Sequence, residues 1–144
     1  MFRFGSCGEE TRDKLIVFEE RGRKFVGNNK DKKKFLKVRV DNCLEFAGKR
    51  CDWLLVDTVA NIAHFIELKG CDLNHALRQL ANTVSTISDP GKNYIDRSFR
   101  EKIAYAILSR CPANSTEIQV EKVRFRKKYN TRLNVRNNQL VQVL

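Results

Sequence analysis

Short apolar runs of strand length dominate the first half of the chain. Leu15-Ile16-Val17-Phe18 is closed by the turn-like Glu19-Glu20-Arg21-Gly22, and Arg23 to Val26 is suited to return as a hairpin partner. Residues 1–13 read as polar and turn-like, and Gly27 to Asp31 as a loop. Leu36, Val38 and Val40 alternate with Lys37, Arg39 and Asp41, the period of a half-exposed strand. A short strand is expected at Cys43 to Phe46. Two denser apolar runs follow, Trp53 to Val56 and His64 to Leu68, as in strands buried on both faces. From Asp72 the period lengthens. Leu73, Leu77, Leu80, Val84 and Ile87 recur at spacings of four and three, one face of a helix with Asp72 as its N-cap. Ser88-Asp89-Pro90-Gly91 ends that helix, residues 92–101 read as a polar loop, and Lys102 to Arg110 as a buried strand. Asn114, with Glu117 three residues on, opens a second helix to Tyr129, with Ile118, Phe125 and Tyr129 on one stripe. Leu133 to Val143, interrupted by Asn137-Asn138, reads as a terminal hairpin.

Chemistry concentrates in the two dense runs. If they form a hairpin turning between Asp57 and Asn61, Asp52 returns to the far end of the second run. Side chains alternate along a strand, so Asp52, Leu54 and Val56 share one face, and Phe65, Glu67 and Lys69 share another. Two carboxylates and an ammonium inside apolar strands are costly to bury without partners or a metal. Two oxygen donors suit a hard cation such as Mg²⁺, which keeps several of its waters. A neighbouring lysine can orient such a water or steady charge on a phosphoryl group.

An Asp, a gap of hairpin length, then Glu-x-Lys on an apolar strand resembles the core of the PD-(D/E)xK nuclease superfamily, which includes restriction endonucleases, Holliday junction resolvases and RecB-type exonuclease domains. The resemblance covers about thirty residues, from Arg50 to Gln79. It implies an α/β, restriction endonuclease-like fold: a mixed central sheet flanked by helices in the order αβββαβ, here with extra strands at both termini. It also implies Asp52 and Glu67 as ligands of Mg²⁺ (Mn²⁺ as a substitute), the carbonyl of Leu68 as a third ligand, and Lys69 acting on the attacking water. Gln79, on the following helix, matches a glutamine found near the site in exonuclease-type and resolvase-type relatives. Cys51 stands where the superfamily's name has proline. The helix that usually opens the fold, bearing another metal-ligating glutamate, has no clear counterpart; Glu9, Glu10, Glu19 and Glu20 are the acids available for that role.

Composition sharpens this picture. At 144 residues the chain is expected to form one domain, with 42% hydrophobic and 31% charged residues and a formal net charge of +11. Such a surplus favours polyanions. The basic segments Lys32-Lys33-Lys34, the loop arginines Arg97 and Arg100, and Lys122, Arg124, Arg126, Lys127 and Lys128 of the second helix are the expected phosphate contacts. The Lys37 and Arg39 face reads equally as a backbone track or as lysine-type protection of a sheet edge. The resemblance favours DNA over RNA, and a homodimer is compatible with it. The five cysteines form no Cys-x-x-Cys pair, which excludes the common zinc and iron–sulfur spacings and reads as small buried thiols in a reducing cytosol. Without an apolar leader or a membrane-length run, the expected location is cytoplasmic or nucleoid-associated. The rival expectation is a basic nucleic-acid-binding module of the same fold without turnover.

Overall fold

The computed structural model describes residues 1–68, 70–109 and 114–144. Its strands are β1 (Gly8–Thr11), β2 (Leu15–Glu20), β3 (Arg23–Asn28), β4 (Phe35–Arg39), β5 (Trp53–Asp57), β6 (Ile62–Glu67), β7 (Glu101–Leu108), β8 (Arg132–Asn137) and β9 (Gln139–Val143). Its two α-helices are α1 (Leu73–Ile87) and α2 (Ser115–Tyr129). Six strands form one mixed sheet in the order β1-β4-β5-β6-β7-β8, and three form a second in the order β2-β3-β9. The fold is thus α/β with a mixed sheet and additional strands at both ends of the chain.

The central hairpin forms as its sequence predicts. Asp57 closes β5 by accepting hydrogen bonds from the backbone N–H groups of Val59 and Ala60, at 3.2 and 2.9 Å, a local device by which an aspartate sets a turn. Asn61 takes a positive φ of 59° to leave it. From β6 the chain crosses through α1 to β7, which pairs parallel to β6, and through α2 to β8, parallel to β7. Asp72 caps α1 by accepting from the His75 N–H at 3.2 Å, and Asn114 caps α2 by accepting from Glu117 N–H at 2.8 Å.

The sheet separates two apolar layers. Leu54, Val56, Phe65, Ala104 and Ala106 pack against the buried stripe of α1 (Ala76, Leu77, Leu80, Val84, Ile87) and against Phe125 of α2. On the opposite face Leu55, Ile66, Leu68, Tyr105 and Ile107 meet Ile16, Phe18 and Phe25 of the small sheet. Both helices therefore cover one face and a second sheet covers the other. No α-helix precedes β5 among the described residues, so the opening helix of the αβββαβ order has no counterpart there.

Four local expectations need correction. Gly8–Thr11 forms an edge strand against β4, although its polar run carries no alternation signal. Cys43 to Phe46 is a turn, with Cys43 N–H and Leu44 N–H both donating to the Val40 carbonyl, rather than a strand. The terminal hairpin is absent: β8 joins the large sheet beside β7, while β9 joins the small sheet beside β3. The single residue between them, Asn138, takes a left-handed φ of 65° and redirects the chain from one sheet to the other. Finally, Cys7 and Cys43 are joined in a disulfide rather than buried as separate thiols, because pairing of β1 with β4 brings the chain ahead of Gly8 to the turn that follows β4. Cys51 is a buried thiol as expected, Cys71 is exposed, and Cys111 lies outside the described residues.

Candidate functional site

The site is built on the open end of the β5–β6 hairpin. Trp53 pairs with Ile66, so the next rung sets Asp52 opposite Glu67. Opposed residues of an antiparallel pair project to the same face, here the face covered by α1. Asp52 is 3% exposed and Glu67 0%. The Asp52 carboxylate accepts a hydrogen bond from Leu68 N–H at 2.8 Å, which fixes it against the chain leaving β6. Backbone bonds from Val40 N–H and Asp41 N–H to the Asp52 carbonyl hold it from the other side.

Leu68 is anchored at both of its polar groups. Asp52 takes its N–H, and Arg23 Nε donates to its carbonyl oxygen. Arg23 also donates through Nη1 to the Ser109 hydroxyl, just past the end of β7. Ser109 N–H in turn donates to the Gly70 carbonyl at 3.2 Å. Gly70 has a φ of +81°, a conformation that glycine adopts without steric cost. Leu68 and Gly70 are thereby tied to β3, β5 and β7 together. Arg23 gave no functional signal in the sequence, where it reads as a basic residue opening a hairpin strand. Its only cue is the two-residue turn Arg21-Gly22, both at positive φ, which brings Arg23 opposite Glu20.

Gln79 lies at the margin of the same site. Its side-chain Nε2 donates to the Arg50 carbonyl at 3.2 Å, and its buried Oε1 has no hydrogen-bond partner among the described residues. One turn further along α1, the Thr83 hydroxyl accepts from Cys51 N–H at 2.8 Å. The polar margin of α1 therefore grips the two residues that precede Asp52. Burial first, and the Glu67 carboxylate next, push the Cys51 thiol well above its usual range. Cys51 is consequently a neutral packing group.

The donor set consists of two enclosed carboxylates, and among the described residues no three His, Cys, Asp or Glu side chains group as a metal cage. Two carboxylates without a cage are compatible with a hard ion that retains waters. The Leu68 carbonyl is less open to a metal than the sequence implied, since Arg23 occupies one of its two lone-pair directions. Lys69 falls outside the described residues. Of the other acids suggested, Glu10 pairs with Lys34 at 3.2 Å on the β1 edge, Glu9 and Glu19 are exposed, and Glu20 lines a cleft of about 520 Å³ with Arg21, Arg23 and Gly70.

The expected phosphate contacts do not gather at one place. Arg100 N–H donates to the Asn61 carbonyl and its Nε to the Ala60 carbonyl, so Arg97 and Arg100 border the turn end of the hairpin, opposite the end bearing Asp52 and Glu67. Lys33 and Lys34 lie near that turn as well. Lys33 pairs with Asp57 at 3.7 Å and Lys34 with Glu10, while Lys32 is exposed in the preceding turn. Lys37 stands over the Phe18 ring at 5.2 Å, bracing the small sheet on the large one, and Arg39 over the Trp53 ring of its own sheet at 5.4 Å. On α2, Arg124 pairs with Glu121 at 3.6 Å and Lys128 stands over Tyr129, while Lys122, Arg126 and Lys127 make no ion pair among the described residues.

No helix among the described residues is long and apolar enough to cross a membrane. Compared with known proteins, the chain matches no family model, no curated protein and no solved structure.

Proposed function

We propose that this protein is a metal-dependent nuclease that hydrolyses phosphodiester bonds, with DNA favoured over RNA as substrate. The observation that carries the reading is the rung formed by Asp52 and Glu67: two enclosed carboxylates opposed on one sheet face, in a chain of net charge +11. The PD-(D/E)xK resemblance of the same residues supports it. In this reading Asp52 and Glu67 hold Mg²⁺ or Mn²⁺, with Leu68 contributing its carbonyl only insofar as Arg23 leaves it free. A divalent ion there supplies polarisation of the phosphate and acidification of the attacking water. Lys69, two residues beyond Glu67, orients that water or neutralises charge developing on the phosphate. Gln79 keeps the chain before Asp52 in place, and its Oε1 is an acceptor available to the site.

A second reading, a nucleic-acid-binding module without turnover, is favoured by one observation. None of the four acids considered as a further metal ligand is placed on the Asp52–Glu67 rung. Cleavage of linear, branched and single-stranded DNA, and of RNA, in Mg²⁺ and Mn²⁺ separates the two. The expected result is turnover that falls at least about a hundredfold in Asp52→Asn and Lys69→Ala, the scale of removing one preorganised transition-state contact. The circular dichroism of both variants should be unchanged. Calorimetric titration of Mg²⁺ should give a binding signal that Asp52→Asn abolishes. Binding without cutting in every metal would establish the second reading, and cleavage that survives Asp52→Asn would locate the chemistry elsewhere.

A further inference from the structure

The free face of α2 and the free edge of β8 enclose a groove that the cleavage chemistry does not use. It has a volume of about 480 Å³, and Lys122, Arg126, Lys127 and Arg132 form its rim. Its apolar lining is Val123, with the nearly buried Leu133 beneath it. Val123 is 54% exposed and Val120, one turn before it, 59%. These are aliphatic groups that water meets directly, on a helix whose one fully buried residue is Phe125. Such a helix is anchored along a narrow seam and presents the rest of its surface outward. β8 is the terminal strand of the six-stranded sheet and bonds to β7 alone within it, so its outer edge presents backbone donors and acceptors.

The groove also has a defined relation to the carboxylates. Glu67 pairs with Ala106, and Ala106 with Val135. Leu133 and Val135 pack in the same apolar layer as Phe65 and Ala106, so they lie on the face to which Glu67 projects. Two strand spacings, about 10 Å, separate the Glu67 row from β8.

We propose that this groove receives a single-stranded stretch of nucleic acid. A duplex turns its phosphates outward and stacks its base faces inside, so it offers nothing to an apolar floor. An unpaired strand presents both, phosphates for the cationic rim and a base face for the exposed Val123. The Asn134 side chain and the β8 edge add hydrogen-bonding groups for base edges. Among the described residues one acid pairs with the rim, Glu101 at 3.6 Å from Arg132, which leaves the rim with net positive charge. A second copy of the chain fits worse, because pairing through β8 would bring two cationic rims together.

The inference rests on the reading of nucleic acid as the substrate but not on cleavage. It is tested by fluorescence anisotropy of a labelled oligothymidylate and of a duplex of equal length, in EDTA. The wild type should bind the single strand more tightly. Val123→Asp should weaken that binding at least about tenfold, with the duplex little affected, on the scale of one lost base contact. Val141→Asp, an equally exposed position on the small sheet, should change neither. The double variant Arg126→Gln/Lys127→Gln should reduce the salt slope for the single strand by roughly 0.7 per charge removed. Equal affinity for both nucleic acids, or an unchanged Val123→Asp, overturns the proposal. A dimer in sedimentation that Val123→Asp dissolves overturns it in favour of a second copy. Because no metal is present, loss of these binding differences refutes the groove alone. A protein that shows them yet cuts nothing refutes only the nuclease.

Discussion

Arg23 carries its charge almost wholly inside the protein, and the two groups to which it donates are neutral: the Leu68 carbonyl and the Ser109 hydroxyl. It makes no ion pair among the described residues. Hydrogen bonds from an ionised donor are stronger than neutral ones, and a buried acceptor left without its donor incurs a desolvation penalty. Arg23→Ala should therefore destabilise the fold by about 3 kcal/mol in urea denaturation. Arg23→Lys should recover only part of this, since an ammonium cannot span both acceptors as the planar fork does. A loss below about 0.5 kcal/mol for Arg23→Ala, the range of ordinary surface substitutions, would mean that the tie is structurally idle. A second residue sets a pH limit. His64 faces the small sheet, its Nδ1 2.8 Å from the Tyr105 hydroxyl, and burial pushes its pKa down to about 4 against the restoring effect of Asp57. The unfolded chain takes the same proton near pH 6.5. Stability from this group is complete above that value and drains away as the pH falls towards 4, by about 3 kcal/mol in all. Denaturant unfolding at neutral pH and near pH 4 should show this loss in the wild type. His64→Gln, which cannot titrate, should escape most of it; an equal loss in the variant would assign the acid sensitivity to other groups.

Among the elements, those that announce themselves are the ones in which local chemistry and burial agree. The α1 stripe follows from its period, and its start from Asp72. The β5–β6 hairpin follows from two apolar runs separated by a segment that Asp57 is equipped to turn, and it alone fixes the Asp52–Glu67 rung. What stayed hidden depends on contacts distant in sequence. β1 has no apolar alternation because it is an edge strand whose order comes from β4. The pair Val135 and Val141 looks like a hairpin until one knows that β3 and β7 each offer a better neighbour. Arg23 is silent for the same reason: its partners are forty-five and eighty-six positions away. The basic segments misled in another way. Positive charge is visible residue by residue, yet the acids that neutralise Lys33 and Lys34 come from β5 and β1, and the aromatic rings under Lys37 and Arg39 come from β2 and β5. Among the described residues α2 keeps several cations without a paired acid beside the exposed Val123, and that asymmetry emerges from packing.

At the scale of the molecule, the Cys7–Cys43 bond joins the N-terminal segment to the turn that follows β4. That segment seals the helical layer: Phe4 is buried there, Phe2 stacks on Phe99, and the N-terminal ammonium and Arg3 both pair with Asp96. The turn on the other side of the bond is the one whose Val40 and Asp41 N–H groups hold the Asp52 carbonyl. The bridge therefore braces the support of the Asp52 carboxylate from outside the sheet. Closing a loop with a sequence separation of 36 removes unfolded-state entropy worth about 3–4 kcal/mol in the chain-entropy account. Reduction, or the Cys7→Ser variant, should lower stability by an amount of that order, read from urea unfolding as a lower midpoint, with a steeper slope as the opened unfolded chain exposes more surface. The effect should be the same for Cys43→Ser, since either change opens the same loop. If instead both variants lose less than about 1 kcal/mol, the aromatic and ionic contacts of residues 1–4 already hold the segment in the unbridged chain, and the bond adds little to a surface that is closed without it.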